Sequence, residues 1–218
     1  MKWLRYTTYL FAPAALYVSA MAASPLTVTV DSLVSGKPIA PQFALCKPTA
    51  EGKSTKGENL RPTIAWSGAP ANTKSFAVVV SDPDVPADFS KAGKDGMVVA
   101  SAAPRRPLYH WVVTDIPANT TKIPGGQASA TLDSGVAHLN DLGSYVPDAH
   151  QYGGPCPPWN DERIHHYHFI VYALDVPSLG LGSNATAKEV VNALTSGPHT
   201  LAQGEVVGTY TLNKTVSK

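Results

Sequence analysis

Four short segments carry the side chains best suited to chemistry: Asp82-Pro-Asp84-Val-Pro86, Tyr109-His110-Trp111, Gly153-Gly154-Pro155-Cys156-Pro157-Pro158 and His165-His166-Tyr167. Each combines a conformationally restricted backbone with an acid, an imidazole or a phenol. That is the material of a preformed pocket with a few aimed polar groups, and it points to recognition of a small anion more than to bond breaking.

On a strand, alternation puts His165, Tyr167, Phe169 and Val171 on one face and His166, His168, Ile170 and Tyr172 on the other. A phenol and an imidazole on the same face, after a rigid Pro-Cys-Pro-Pro loop, could supply two hydrogen-bond donors to phosphate or carboxylate. The bland alternative is an ordinary core tyrosine and a satisfied edge histidine. In the next run, Tyr109, Trp111 and Val113 alternate against His110, Val112 and Thr114, with His110 expected to face inward. A carboxylate such as Asp82 could hold the His110 tautomer or share its proton. Asp82 and Asp84 flank Pro83 after an apolar run, so they also read as a strand-ending turn whose carboxylates cap backbone N–H groups. The expectation is Asp82 in the pocket and Asp84 structural.

Other chemistries find less support. His165 faces away from His166 and His168, so the three cannot converge on one ion, and a His-x-His pair without a third ligand is weak evidence for metal. The chain has no Gly-x-Ser-x-Gly, His-Glu-x-x-His or Cys-x-x-Cys motif. Gly52-Lys53-Ser54 lacks the upstream glycine of a phosphate-binding loop. No catalytic residue, metal or cofactor is therefore assigned. The competing reading is a metal-assisted or acid–base hydrolase built on His110, Asp82 and His165.

The elements that must position these residues are strands. Apolar and β-branched runs at Leu26 to Val30, Thr63 to Trp66, Phe76 to Ser81, Tyr109 to Thr114, His166 to Leu174 and Val206 to Leu212 are punctuated by Gly, Pro, Asn and Asp. Loops rather than helices separate them, which argues for an antiparallel sandwich. Thr186-Ala-Lys-Glu189 has capping-box spacing before Val190, Val191 and Leu194, predicting a helix, and Leu201-Ala-Gln203 suggests a further turn. Two long loops, Ala87 to Leu108 with Lys91, Lys94, Arg105 and Arg106, and Ile123 to Tyr152, are candidates for function.

With 218 residues, 44% of them hydrophobic and 15% charged, the chain can bury one substantial core. Lys2 and Arg5 precede an apolar stretch from Leu10 to Val18, and Ala20-Met21-Ala22 offers a cleavage site. The expected organisation is a signal peptide over 1–22 and one domain over 23–218, placed in the periplasm or secreted. The apolar stretch is shorter than the roughly 20 residues a bilayer core requires, so no integral membrane span is expected after cleavage. Loss of Lys2 and Arg5, with no acidic residue, takes the formal charge from +1 to −1. A near-neutral mature chain lacks the basic stripe that nucleic acid needs. Its two cysteines, Cys46 and Cys156, are expected to form a disulfide in an oxidising compartment.

The same segments carry a resemblance. Phe43-Ala-Leu-Cys46, Trp66-Ser-Gly-Ala-Pro70, Asp82-Pro-Asp-Val-Pro86, His110-Trp111, Gly154-Pro-Cys-Pro-Pro158, His165-His-Tyr167 and Tyr172-Ala-Leu-Asp175 occur in the order seen in the phosphatidylethanolamine-binding proteins. The chain most resembles their secreted bacterial, Raf kinase inhibitor-like branch. The resemblance implies a mainly β, Greek-key antiparallel sandwich with peripheral C-terminal helices and a small cavity for phosphate-like anions. Asp82, His110, Pro157, Pro158, His165 and Tyr167 would line the cavity, with Cys156 at its rim. His166 stands where many relatives carry Arg, and the insertion from Ala87 to Leu108 lies near the presumed rim. The implied function is non-catalytic binding of phosphate- or carboxylate-bearing ligands such as phospholipid headgroups. Regulation of a protein partner through loop 87–108 is a further expectation.

Overall fold

The computed structural model describes residues 26–216; the expected signal peptide lies outside the described residues. The strands are β1 Thr27–Val30, β2 Cys46–Pro48, β3 Ser54–Lys56, β4 Leu60–Arg61, β5 Ile64–Ser67 and β6 Ser75–Pro86, followed by β7 Arg105–Pro117, β8 Lys122–Ile123, β9 Gly126–Gln127 and β10 Val136–Ala137. The long β11 His165–Leu174, helix α1 Ala187–Ser196 and β12 Thr200–Tyr210 complete the chain.

β10, β7, β6, β11 and β12 lie side by side in that order as one antiparallel sheet. β11 returns over a long connection to pair with β6, so β11, β6, β7 and β10 take the fourth-first-second-third order of a Greek key. A smaller sheet of β1, β5 and β8 faces it. Val28, Val30, Ile64 and Trp66 of the small sheet meet Phe76, Val78, Val80, Trp111, Val113, Phe169 and Val171 of the large one in the main core. Burying each such side chain contributes about 1.5–3 kcal/mol, and the period-two pattern of these strands sends one full face inward.

The opposite face of the large sheet, Ala77, Val79, Val112, Tyr172 and Leu174, packs beneath Ala187, Val190 and Leu194 of α1. The Thr186 hydroxyl accepts from Glu189 N–H and the Glu189 carboxylate accepts from Thr186 N–H, the predicted capping box. α1 is the single α-helix among the described residues. No helix among them is long and apolar enough to cross a membrane.

Two local expectations give way. Leu201-Ala-Gln203 is strand, because Ala202 and Gln203 pair with Ala173 and Tyr172. Asp82-Pro-Asp84 does not end its strand: β6 continues through Pro86, with a register irregularity between Asp82 and Val85 that accommodates the proline.

Candidate functional site

The core face of β6 reads Phe76, Val78, Val80 and then Asp82, and that of β11 reads Phe169, Tyr167 and then His165. Moving along either strand toward this end of the sheet, apolar residues give way to polar ones on the same buried face. Asp82 is 1% exposed, Tyr167 1% and His165 0%.

His110 reaches the same place by a different route. Val80 pairs with Trp111 and Ser81 with Tyr109, which leaves His110 as an extra residue on β7. Such a bulge re-aims a side chain. Val112 packs on the helix side of the sheet, whereas His110 meets the Tyr167 ring edge to face, with centroids 5.2 Å apart. Strict alternation would have left His110 on the face of Val112.

Together these groups line a cavity of about 450 Å³. Cys156, Pro157 and Pro158 form one wall, Leu108, Leu142 and Tyr145 another, and Phe89, Ala92 and Gly93 bring the 87–104 loop over the mouth. The disulfide joins Cys46 to Cys156, with Cα atoms 4.7 Å apart, and fastens the proline-rich wall to β2. Gly154 is required there: a Cβ would sit 1.9 Å from the Phe43 carbonyl oxygen. Asn59 secures the same turn, accepting from Gly154 N–H and donating to the Tyr152 carbonyl. All seven residues expected at the pocket, Asp82, His110, Cys156, Pro157, Pro158, His165 and Tyr167, lie on this one cavity.

The charge arrangement is more elaborate than the motifs indicated. His165 Nδ1 donates to Asp82 Oδ2 at 2.7 Å and Nε2 donates to Asp161 Oδ2 at 3.2 Å. Burial disfavours the imidazolium, but hydrogen bonds to Asp161 and Asp82 and the charges of both outweigh it, and the pKa is pushed up to about 9. His165 is therefore a cation at neutral pH with both N–H groups committed to protein. Asp161 in turn accepts two hydrogen bonds from Arg105 and one from Arg163 N–H. Burial raises its carboxyl, yet these bonds and the one from His165 hold it below its ordinary value.

Asp84 supports the site from outside the cavity. Its N–H donates to Asp82 Oδ1, its carboxylate accepts from both the N–H and Nδ1 of His166, and Arg163 lies 3.2 Å from its other oxygen. His168 pairs with Glu205. The His-x-His pair is thus engaged by two separate carboxylates.

Two groups remain open at the floor. His110 Nδ1 donates to the Gly153 carbonyl at 2.9 Å, and burial pushes its pKa down against the opposing pull of Asp82, so the ring is neutral with its lone pair on Nε2. The Tyr167 hydroxyl is buried and makes no hydrogen bond of full geometry; burial, the Asp82 charge and a weak interaction with the Asp82 carboxylate beside it hold its pKa well above the ordinary value.

Sequence reasoning missed Asp161, Arg105 and Asn160. Asp161 precedes His165 by four residues in a stretch that reads as an ordinary polar turn, and no spacing rule singles it out. Arg105 was grouped with the basic loop, but β7 already begins at Arg105 and its guanidinium is only 7% exposed. Asn160 donates to the carbonyls of Lys91, Lys94 and Met97 and accepts from Gly93 N–H, so the 87–104 loop is pinned over the cavity.

Comparison with known proteins agrees with this architecture. The UPF0098 protein YbcL of Escherichia coli is 32% identical over 214 residues, covering 96% of this chain and 98% of its own. Its crystal structure, titled as a new member of the mammalian PEBP family, matches 86% of this chain and 99% of its own with a TM-score of 0.66 at 29% identity. A UPF0098 protein of Aquifex aeolicus is 35% identical over 71% of this chain and 75% of its own. A protein of Mycobacterium tuberculosis named "Putative lipoprotein LppC" is 31% identical over 88% of this chain and 75% of its own. The sequence model described as phosphatidylethanolamine-binding protein spans residues 30–211, which include every cavity residue named above, and the chain belongs to that family.

Proposed function

We propose that this chain is an exported, non-catalytic binding protein whose cavity receives the phosphate or carboxylate end of a small ligand, a phospholipid headgroup among them. The observation that carries the reading is the Tyr167 hydroxyl, a buried donor with no hydrogen bond of full geometry, at the floor of a cavity beside His110 and Asp82. A buried polar group without a partner is disfavoured by about 1–3 kcal/mol, and a ligand oxygen would relieve that. Export is supported by the disulfide and by a relative named as a lipoprotein.

The non-catalytic reading is supported by His165. Both of its nitrogens are bonded to carboxylates, so it has no free lone pair with which to take a proton from a substrate. The hydrolase alternative built on His110, Asp82 and His165 would be recovered by turnover of chromogenic esters or phosphoesters.

Calorimetric titration with phosphoethanolamine tests the reading. Wild-type protein binds it saturably, and Tyr167→Phe weakens binding about tenfold while leaving stability unchanged or slightly raised, because the lost hydroxyl was unsatisfied. Absence of binding to the wild type overturns it.

Regulation of a protein partner is a second reading, favoured by Phe89, Met97 and Val98, which are large, apolar and exposed on the 87–104 loop beside Lys91 and Lys94. Arg105 is excluded from that contact by its bond to Asp161. Pull-down with and without the loop tests it, and identical partner sets reject it.

A further inference from the structure

Counting hydrogen-bond capacity at the cavity floor gives one open donor and two open acceptors. The donor is the Tyr167 O–H, which lies beside Asp82 without a bond of full geometry to it and can turn to a ligand oxygen. The acceptors are His110 Nε2, whose opposite nitrogen is committed to Gly153, and the Asp82 carboxylate. Asp82 accepts from His165 on one oxygen and from Asp84 N–H on the other, and each oxygen retains a second lone pair. His165 contributes no free N–H.

The charges point the same way. Asp82 and Asp161 are matched by the His165 imidazolium and the Arg105 guanidinium, all four buried around the floor. Toward the mouth, Arg106 lies over the Phe89 ring, and Asp141 also lines the cavity. A fully ionised anion at the floor would meet no surplus cation and would face the lone pairs of Asp82.

We propose that the cavity selects oxyacids that still carry an ionisable proton, phosphomonoester monoanions in particular, over oxyanions that have none. The P–OH donates to Asp82 or to His110 Nε2, and an ionised oxygen of the same group accepts from Tyr167. No bond is broken and no proton leaves the ligand. This rests on the anion-binding reading above and narrows it: a free phosphomonoester headgroup such as phosphoethanolamine is favoured, and an intact phospholipid, which is a phosphodiester, or a carboxylate is bound more weakly.

The groups that set the response to pH are Asp82 on β6, His110 on β7, and His165 and Tyr167 on β11, with Asp161 behind His165 and Asp141 and Arg106 at the rim. Burial keeps His110 neutral, so the titrating proton belongs to the ligand. A phosphomonoester takes up its second proton at about pH 6.

The experiment is calorimetric titration of the wild-type protein with methyl phosphate, dimethyl phosphate and sulfate between pH 5 and 8. Methyl phosphate affinity is expected to rise about tenfold per pH unit as pH falls from 8 toward 6, then to level off. Sulfate and dimethyl phosphate, which carry no proton in this range, are expected to bind roughly tenfold or more weakly at pH 6. Equal affinity for all three at pH 6 overturns the proposal and leaves anion binding standing. A sulfate affinity that climbs with the same slope as methyl phosphate overturns it too, since the proton would then be taken up by His110. Failure of all three ligands to bind overturns both readings.

Discussion

Arg105 donates from Nη1 to Asp161 Oδ2 at 2.5 Å and from Nη2 to Oδ1 at 2.9 Å, in a pair that is almost wholly buried. Arg105 opens β7 and Asp161 ends the turn before β11, so this bond ties the two strands that supply His110 and His165. Removing one partner of a buried pair leaves an uncompensated charge, at about 3–5 kcal/mol. Arg105→Ala is expected to lose that much in urea unfolding, and Arg105→Lys somewhat less, because an ammonium cannot match the two-pronged geometry. A loss under about 1 kcal/mol would put the pair in the class of exposed salt bridges.

His165 makes stability depend on pH in a defined direction. Its folded-state pKa, about 9, stands above the ordinary value of 6.5, so its contribution is complete below about 6.5 and is lost as pH rises through 9. The size is on the order of 3 kcal/mol. Asp161 acts at the acid end: its lowered value gives a contribution present above the ordinary carboxylate range and lost as pH falls through the folded value. Unfolding free energies between pH 6 and 9.5 should decline across the alkaline window, and His165→Gln should flatten that decline. A wild-type profile level from 6.5 to 9 contradicts the assignment.

Asn160 controls the loop over the cavity mouth. Its amide reaches three carbonyls and one N–H of the 91–97 stretch. Asn160→Ala is expected to cost about 2 kcal/mol by leaving those groups short of partners. Trypsin should then cleave after Lys91 and Lys94 several-fold faster than in the wild type. Unchanged cleavage would mean that the loop is held by other contacts.

The disulfide closes a loop of 110 residues. Constraining an unfolded chain over such a length stabilises the fold by about 4–5 kcal/mol. Thermal melts of Cys46→Ser/Cys156→Ser are expected to fall by on the order of 10 °C. Equal melting temperatures with and without the bridge would show that it is energetically idle.

Much of the site was legible before folding was considered. Asp82, Tyr167 and His165 continue apolar faces of β6 and β11, so period-two alternation brings them to one end of the buried surface. The cysteine pair followed from its number and from the expectation of export. His110 was rightly turned inward, but onto the wrong companions: alternation groups it with Val112, whereas the extra residue opposite Val80 and Ser81 carries it to Tyr167. A bulge depends on how two strands pair, and one strand's composition does not encode it. Asp161 and Arg105 were missed because their partnership spans 56 residues with no motif to mark it.

Local rules acting along the chain therefore determined which residues would be strand and which strand residues would face the core, because side-chain direction in a strand follows from covalent geometry alone. The tertiary structure decided their chemistry. Only packing β7 and the 159–163 turn against β11 places a second carboxylate on His165, turning an expected ligand donor into a fixed cation and leaving Tyr167 and His110 as the open groups.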